Sequence, residues 1–408
     1  MDILWGLFGI VVVLGIAFLL SNNRKAIKPR TILAGLAIQI TFAFIVLQWD
    51  LGRAALQQFT LAVSSIIDFA MEGVDFVFGG IFEGDNIGFI FAFEVLPVII
   101  FFSSLISVLY YIGIMQWVVK IVGGFLEKVL ATSKTESMSA AANIFLGQTE
   151  APLVVKPYIA RMTNSELFAI MTGGLASVAG SVLIGYSLLG VPLEFLLAAS
   201  FMAAPAGLIM AKMMVPETAD MSERSDENLE LGKDTDSANV IDAAARGASV
   251  GLQLALNIGA MLIAFIALIA LVNGFISLIG TPFGAENLTI EQILGFVFAP
   301  LAVAIGVPIQ EAVAAGGFIG QKLVLNEFVA YLSFAETMDE LTPKTVAIVT
   351  FALCGFANLS SLGILLGGLG KLAPERRKDI ARLGVRAVTA GMLASLLSAA
   401  IAGIMLSF

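Results

Sequence analysis

The sequence predicts an all-α polytopic membrane protein, and three observations carry that prediction. Of 408 residues, 59% are hydrophobic and only 13% charged, with a mean hydropathy of +0.97; a soluble domain runs near half apolar and a quarter charged. The apolar residues fall in runs of about 20, the length that crosses a bilayer as a helix. Lys and Arg cluster in alternate loops, as the positive-inside rule requires. The same composition excludes other classes. A net charge of -9, with basic residues scattered over several loops, leaves no nucleic-acid footprint. A single cysteine, Cys354, allows no disulfide framework or thiolate site, and with no histidine the commonest metal ligand and proton relay are missing. No nucleophile–base pair is recognisable, which argues against an enzyme.

Residues 3–21 and 31–49 read as the first two spans. Arg24, Lys25, Lys28 and Arg30 between them place that loop in the cytoplasm and the N-terminus outside. The first run lacks a basic n-region and a small-residue cleavage site, so it reads as a retained span rather than a signal peptide. Residues 53–80 carry Leu56, Phe59, Val63, Ile66, Ile67 and Ala70 at roughly helical spacing, which predicts an amphipathic helix on the outer surface. Residues 89–112 span inward, and 114–130 form an interfacial helix. Residues 166–190 and 192–214 are two spans joined at Gly190-Val191-Pro192. The stretch 216–247, with nine acidic and three basic residues, is a cytoplasmic connector carrying an amphipathic helix. Residues 248–278 form a long helix that crosses with tilt, and 280–297 lie outside. Residues 345–370 span inward, and 385–408 cross outward. That makes eight spans, with both termini outside. Of the 22 Lys and Arg, only Arg53 and Lys344 fall in the outer segments.

Two stretches do not read as spans. Residues 135–163 are polar in the middle and basic at both flanks, which predicts a re-entrant hairpin from the cytoplasmic side. Irregular backbone at that depth is tolerated only where protein or a water-filled cavity surrounds it. Residues 298–335, with Lys322, Asn326 and Glu327 inside, predict a second hairpin from the outer side. Phe145-Leu146-Gly147-Gln148 recurs as Phe318-Ile319-Gly320-Gln321, and Ala169-Ile170-Met171-Thr172 as Ala347-Ile348-Val349-Thr350. The order of hairpin followed by span is thus repeated with opposite entry, an inverted-topology repeat of the kind that builds secondary transporters. The chain divides into 1–112, 113–215 (first repeat), 216–247, 248–278 and 279–408 (second repeat).

The chemistry concentrates at Asn143-Ile144-Phe145-Leu146-Gly147-Gln148-Thr149-Glu150-Ala151-Pro152, where a carboxylate, two amides and a hydroxyl interrupt apolar sequence. Polar groups at membrane depth are expensive and face a cavity or a partner. The two following spans carry helix-loosening runs at mid-length, Thr172-Gly173-Gly174-Leu175-Ala176-Ser177-Val178-Ala179-Gly180-Ser181 and Cys354-Gly355-Phe356-Ala357-Asn358-Leu359-Ser360-Ser361. Such breaks expose backbone groups to ligands and ions, although small residues also serve close helix packing. Glu150 and Glu327 are the weightiest carboxylates, and spacing alone does not rank Glu311 below Glu327. Each has a structural alternative as a helix cap or buried ion pair, with Lys322 the partner near Glu327. A site of Gln148, Thr149, Asn358, Ser361 and two carboxylates, without arginine, suits a neutral polyhydroxylated or heterocyclic solute rather than an anion. The Asn143 oxygen, the Ser177 hydroxyl and freed carbonyls near Leu146 and Val178 suit a hard cation such as sodium; the alternative for Asn143 is a cap. A channel or structural membrane protein whose polar tips are only helix caps is the competing reading.

Three motifs together resemble the concentrative nucleoside transporter family in its bacterial form. They are Gly147-Gln148-Thr149-Glu150-Ala151-Pro152, Gly320-Gln321-Lys322 with Asn326-Glu327-Phe328-Val329-Ala330-Tyr331, and Cys354 through Ser361. The pattern G-x-K-x-x-x-N-E-F-V-A-Y, complete from Gly320 to Tyr331, is the most specific part and favours Glu327 over Glu311. The resemblance runs from about residue 90 to the end; the first 80 residues match only in layout. It implies eight spans, two opposed re-entrant hairpins and interfacial helices, assembled as a homotrimer in a bacterial cytoplasmic membrane. The first three spans and the 248–278 helix would form a scaffold, and the remainder a transport domain moving as an elevator. Gln148, Thr149 and Glu150 would contact the nucleobase of a uridine-, cytidine- or adenosine-type nucleoside. Glu327, Asn358 and Ser361 would contact the ribose, and Asn143, Leu146, Ser177 and Val178 would hold sodium as coupling ion, with no organic cofactor. Proton-coupled members lack the asparagine at the Asn143 position, so its presence favours sodium over the proton alternative.

Overall fold

The structure is a computed structural model and describes residues 2–82, 89–219, 237–284 and 288–407; every regular element among them is helical. α1 (Asp2–Leu19) and α2 (Pro29–Leu47) are apolar, and Pro29 sits in the first turn, where its missing N–H costs nothing. α3 (Asp50–Phe82) is one continuous helix. Its buried Ile67, Ala70 and Val74 recur at helical spacing, while Phe69, Phe76 and Val77 are exposed. α4 (Phe91–Glu94) and α5 (Leu96–Tyr111) follow, broken at Val95 just before Pro97. α6 (Ile114–Leu130) corresponds to the interfacial helix expected over 114–130.

The stretch 135–163 is a helix–turn–helix of two unlike arms in contact. α7 (Lys134–Ala142) starts from a Ser133/Glu136 capping box. After the turn at 143–150, Ala151–Arg161 winds as a 3-10 helix that includes Pro152 and Pro157. The two prolines withdraw N–H donors from the α ladder. At 9 and 11 residues, the arms reach about 14 and 22 Å, and neither crosses a hydrocarbon core of about 30 Å.

α8 (Asn164–Ala176) breaks at Ser177-Val178-Ala179 and resumes as α9 (Gly180–Leu188); α10 (Leu193–Met214) returns. α11 (Val240–Gly280) has 41 residues. It begins earlier than the expected 248, because Asn239 caps it by accepting from Asp242 N at 3.0 Å. The tail of the expected connector therefore belongs to this helix, and 220–236 lie outside the described residues. α11 crosses α5 on small residues four apart, Ala243, Gly247, Gly251 and Ala255, all buried.

The second hairpin is shorter than the sequence suggests. Residues 298–304 belong to a separate helix, α12 (Ile290–Ala304), closed by a turn with Gly306 at φ 105 and Pro308. α13 (Ala312–Val324) packs back along α12 so closely that a Cβ on Gly316 would lie 2.6 Å from Gly295 O. The tip lies at Leu325-Asn326, and α14 (Glu327–Thr337) is the second arm, capped by Asn326. α15 (Pro343–Leu353), the break Cys354–Asn358, α16 (Leu359–Leu372) and α17 (Arg377–Met405) complete the chain.

The repeated order of arm pair, broken helix and returning helix is present in both halves. Of the two sequence matches, Ala169–Thr172 and Ala347–Thr350 both fall on the first piece of a broken helix. The other does not correspond: Phe145–Gln148 forms a tip, whereas Phe318–Gln321 lies inside α13. Six helical stretches among the described residues are long and apolar enough to cross a membrane. The other two expected spans are α1 and the broken α15–α16. The core is where α8, α10 and α17 pack together; within an apolar 18-residue window, 94% of the residues are buried in α8–α9 and in α17 but only 6% in α11.

Candidate functional site

The two helix breaks meet back to back. Phe356 N donates to Ser177 O at 3.1 Å. Gly355, at φ 156, comes so near that a Cβ would lie 2.9 Å from Ala176 O and 2.8 Å from Ser395 Oγ, so glycine is required here. The first tip is tied to the same place: Gly180 N donates to Phe145 O at 3.0 Å, and Ser200 Oγ to Ile144 O at 2.6 Å. Gly174 makes room for the tip, since a Cβ there would lie 2.9 Å from Gln148 Cβ.

A continuous hydrogen-bonded chain then runs between the two halves. Gln148 Nε2 donates to Ser361 Oγ at 3.4 Å. Ser361 N donates to Asn358 Oδ1 at 2.8 Å, and Asn358 Nδ2 donates to Glu327 Oε2 at 2.7 Å. All four residues are buried. Asn358 is thus the cap of α16 and a partner of Glu327 at once. Thr149 and Glu150 lie half-buried beside Gln148. Glu150 Oε2 accepts from Gly147 N at 3.2 Å, and the Thr149 methyl packs over Gly368 of α16.

The structure separates the carboxylates that spacing alone left level. Glu311 accepts from the N–H and hydroxyl of Thr342 at 3.1 and 2.9 Å, bracing the start of α15. Glu327 instead joins the chain above. The alternative of a buried ion pair between Lys322 and Glu327 does not hold: no ion pair within 4.0 Å joins them, and Lys322 Nζ donates to Ala352 O at 2.7 Å and Ser395 Oγ at 3.1 Å. The backbone turns at Leu325-Asn326 between the two residues and sends their side chains to different neighbours. The second oxygen of Glu327 accepts from Tyr186 OH at 3.3 Å, and Tyr186 stacks on Tyr331 at 4.2 Å. Sequence reasoning missed Tyr186, a lone phenol on apolar α9, far from Glu327 in the chain.

The cation candidates belong to the first tip and to the adjoining break after α8. Asn143 is buried; its Nδ2 donates to Ser139 O at 2.9 Å, and its Oδ1 has no partner among the described residues. Ser177 Oγ donates to Gly173 O at 3.0 Å, on the stretch of α8 that lies against the Asn143 amide. The carbonyls of Leu146 and Val178 accept no hydrogen bond among the described residues. Ser139 Oγ and Thr172 Oγ1 are likewise buried and partnerless. Sequence reasoning passed over both, because single hydroxyls inside helices carry no distinguishing pattern. The oxygens here are neutral, and among the described residues no group of three or more acidic, Cys or His side chains converges anywhere.

Apolar helices, two breaks clamped together, and a buried polar chain linking both halves define a polytopic membrane transport protein. Residues 8–81 match the Na+ dependent nucleoside transporter N-terminus, 92–193 the nucleoside recognition (gate) region, and 195–403 the Na+ dependent nucleoside transporter C-terminus. The chain is 58% identical to the uncharacterized transporter YutK of Bacillus subtilis, over 99% of both chains. It is 46% identical to the nucleoside permease NupC of Helicobacter pylori, over 98% of this chain and 97% of that one. Among solved structures it is similar to CNTnw in an inward-facing substrate-bound state (TM-score 0.94, 54% identity) and, as a substituted form, in an outward-facing state (TM-score 0.96, 53% identity). Each comparison covers 100% of this chain and 98% of that one. The chain belongs to the concentrative nucleoside transporter family, in its bacterial form, a family of transporters rather than enzymes.

Proposed function

We propose that this protein imports nucleosides across the bacterial cytoplasmic membrane in symport with sodium, by elevator-type alternating access. The observation that carries the reading is the buried chain Gln148–Ser361–Asn358–Glu327. It draws on both repeats and consists of amides, a hydroxyl and a carboxylate, with no arginine. A ribose offers hydroxyls that donate to Glu327 and accept from Asn358 and Ser361. A nucleobase offers edges that pair with Gln148, Thr149 and Glu150. A nucleoside exchanges the bonds these groups now make to one another for bonds to itself, so none is left unsatisfied.

Sodium is the second cargo. Asn143 Oδ1, the Ser177 hydroxyl and the carbonyls of Leu146 and Val178 are its ligands, a neutral oxygen set of the kind hard cations accept. Asn143 and Gln148 share one tip, so an ion that fixes the tip also fixes the base-reading amide. Such differential affinity between states is what coupling requires. The two arm pairs enter the membrane as opposed re-entrant hairpins. α1, α2, α5 and α11 are the scaffold, joined as a homotrimer, and the regions 113–215 and 279–408 move together against it, with both termini outside.

Uptake of labelled uridine into proteoliposomes under an imposed sodium gradient tests the reading. Wild-type protein concentrates uridine only with sodium outside. Glu327→Gln abolishes uptake while the protein remains folded and of unchanged size on gel filtration. Undiminished uptake by Glu327→Gln would sink the ribose assignment, and uptake indifferent to the gradient would sink symport in favour of a channel.

A further inference from the structure

Lys322 is a buried charge that makes no direct contact with the substrate chain, Glu327 acting on it only by longer-range attraction. Its side chain is completely enclosed in the core. Among the described residues no carboxylate pairs with it, and its ammonium donates only to Ala352 O and Ser395 Oγ. Ser395 Oγ has Cys354 O at 3.2 Å and Gly391 O at 3.3 Å as acceptors for its proton. An enclosed ammonium without a counter-ion is costly unless its surroundings supply compensating negative ends. They do so here through one helix terminus. Ala352 lies in the last turn of α15 and Cys354 is the first residue of the break. Phe356 N, which would serve the Ala352 carbonyl if the helix continued, donates instead to Ser177 O. Freed carbonyls at a helix C-terminus carry the negative end of its dipole and attract cations.

The first break is built in a similar way. α8 also ends at a break, Ser177-Val178-Ala179, where Ser177 O accepts from Phe356 N and the Val178 carbonyl accepts no hydrogen bond among the described residues; Asn143, whose Oδ1 has no partner among them, lies against Gly173 in the last turn of α8. The matched segments Ala169–Thr172 and Ala347–Thr350 stand at the same distance before their breaks to within one residue. We propose that Lys322 is a tethered cation. Its ammonium does for the second break what sodium does for the first, holding the carbonyl end of the half-helix so that Asn358 and Ser361 face Glu327 and Gln148. The parallel rests on the sodium reading above; the positioning role of the ammonium does not. One half of the site is then ordered permanently by the chain's own charge, and only the other half waits for an ion.

Uridine binding to purified protein at low and high sodium tests this. Lys322→Met keeps the volume of the stem and removes the charge. Lys322→Ala removes both and opens room beside the carbonyls of Ala352 and Cys354. The expected result is that Lys322→Met binds uridine about tenfold more weakly at every sodium concentration. Lys322→Ala is as weak at low sodium but regains affinity as sodium rises, along a steeper sodium curve than wild type, because free sodium then enters both breaks. Wild-type affinity in folded Lys322→Met overturns the proposal, as does a Lys322→Ala sodium curve of unchanged steepness. If Lys322→Met fails to fold, Ser395→Ala decides: loss of one of the two acceptors weakens uridine binding severalfold, and unchanged affinity overturns the proposal. Failure of the sodium reading shows separately, as wild-type binding that ignores sodium while Lys322→Met still loses affinity.

Discussion

Asn143 divides one side chain between two tasks. Its amide nitrogen closes the last turn of α7 on Ser139 O and lies against Gly173 of α8, while its oxygen is buried without a partner among the described residues. The first task is worth about 1 kcal/mol; the second costs stability unless something else meets the oxygen. Asn143→Ala should therefore leave the protein folded, raise the sodium concentration for half-maximal uridine uptake about tenfold, and change uptake much less once sodium saturates. A sodium titration of uptake in proteoliposomes reads this directly, and an unchanged curve excludes Asn143 as an ion ligand. Asn143, Gln148, Glu327 and Asn358 were legible because each is a polar residue in an apolar run. Tyr186 and Thr172 were not, because a phenol or hydroxyl in a membrane helix is ordinary until its neighbours are known. Lys322 misled for the opposite reason: nearness to Glu327 in sequence suggested a pair that the turn at Leu325-Asn326 prevents.

At the scale of elements, the sequence marks where helices stop better than where they start. Glycine, serine and proline clusters announced both breaks and the first tip, since those residues weaken the α ladder directly. The start of α11 and the separation of α12 from the second hairpin were hidden. A polar first turn held by an asparagine cap resembles a loop, and two apolar helices joined by the short turn at 305–308 resemble one. The seam between α5 and α11 was also hidden, because its signal is what small residues leave out. A Cβ on Gly251 would lie 2.7 Å from Ile100 Cα and from Ser103 Cβ, so the two backbones set that distance. Gly251→Leu should force them apart at a cost of about 1–3 kcal/mol and lower the apparent melting temperature. Gly274→Ala on the same helix, where nothing lies within 4 Å, should be neutral or slightly stabilising. Thermal-shift gel filtration of both variants separates seam packing from mere glycine loss; equal melting temperatures would deny the seam its role.

Taken whole, the molecule has a buried bundle of α8, α10 and α17 and a looser surround that includes α2 and α11. The boundary between them carries one anomaly. Gln39 of α2 is fully buried, and neither its oxygen nor its nitrogen has a partner among the described residues. It lines a cavity of about 120 Å³ against Ile144, Phe201, Met202 and Pro205 of the bundle side. An isolated amide in apolar surroundings costs about 1–3 kcal/mol, so Gln39→Leu should stabilise this arrangement and raise the melting temperature. If the bundle slides past α2 during transport, the gain belongs to one position of the slide and is absent from others. Each 1.4 kcal/mol then tips the balance between positions about tenfold. Gln39→Leu should accordingly melt higher, transport uridine more slowly, and bind it with nearly unchanged affinity in the position it favours. A lower melting temperature would mean that the amide is satisfied where it stands. A higher melting temperature with undiminished uptake would mean that this boundary does not move in the transport cycle.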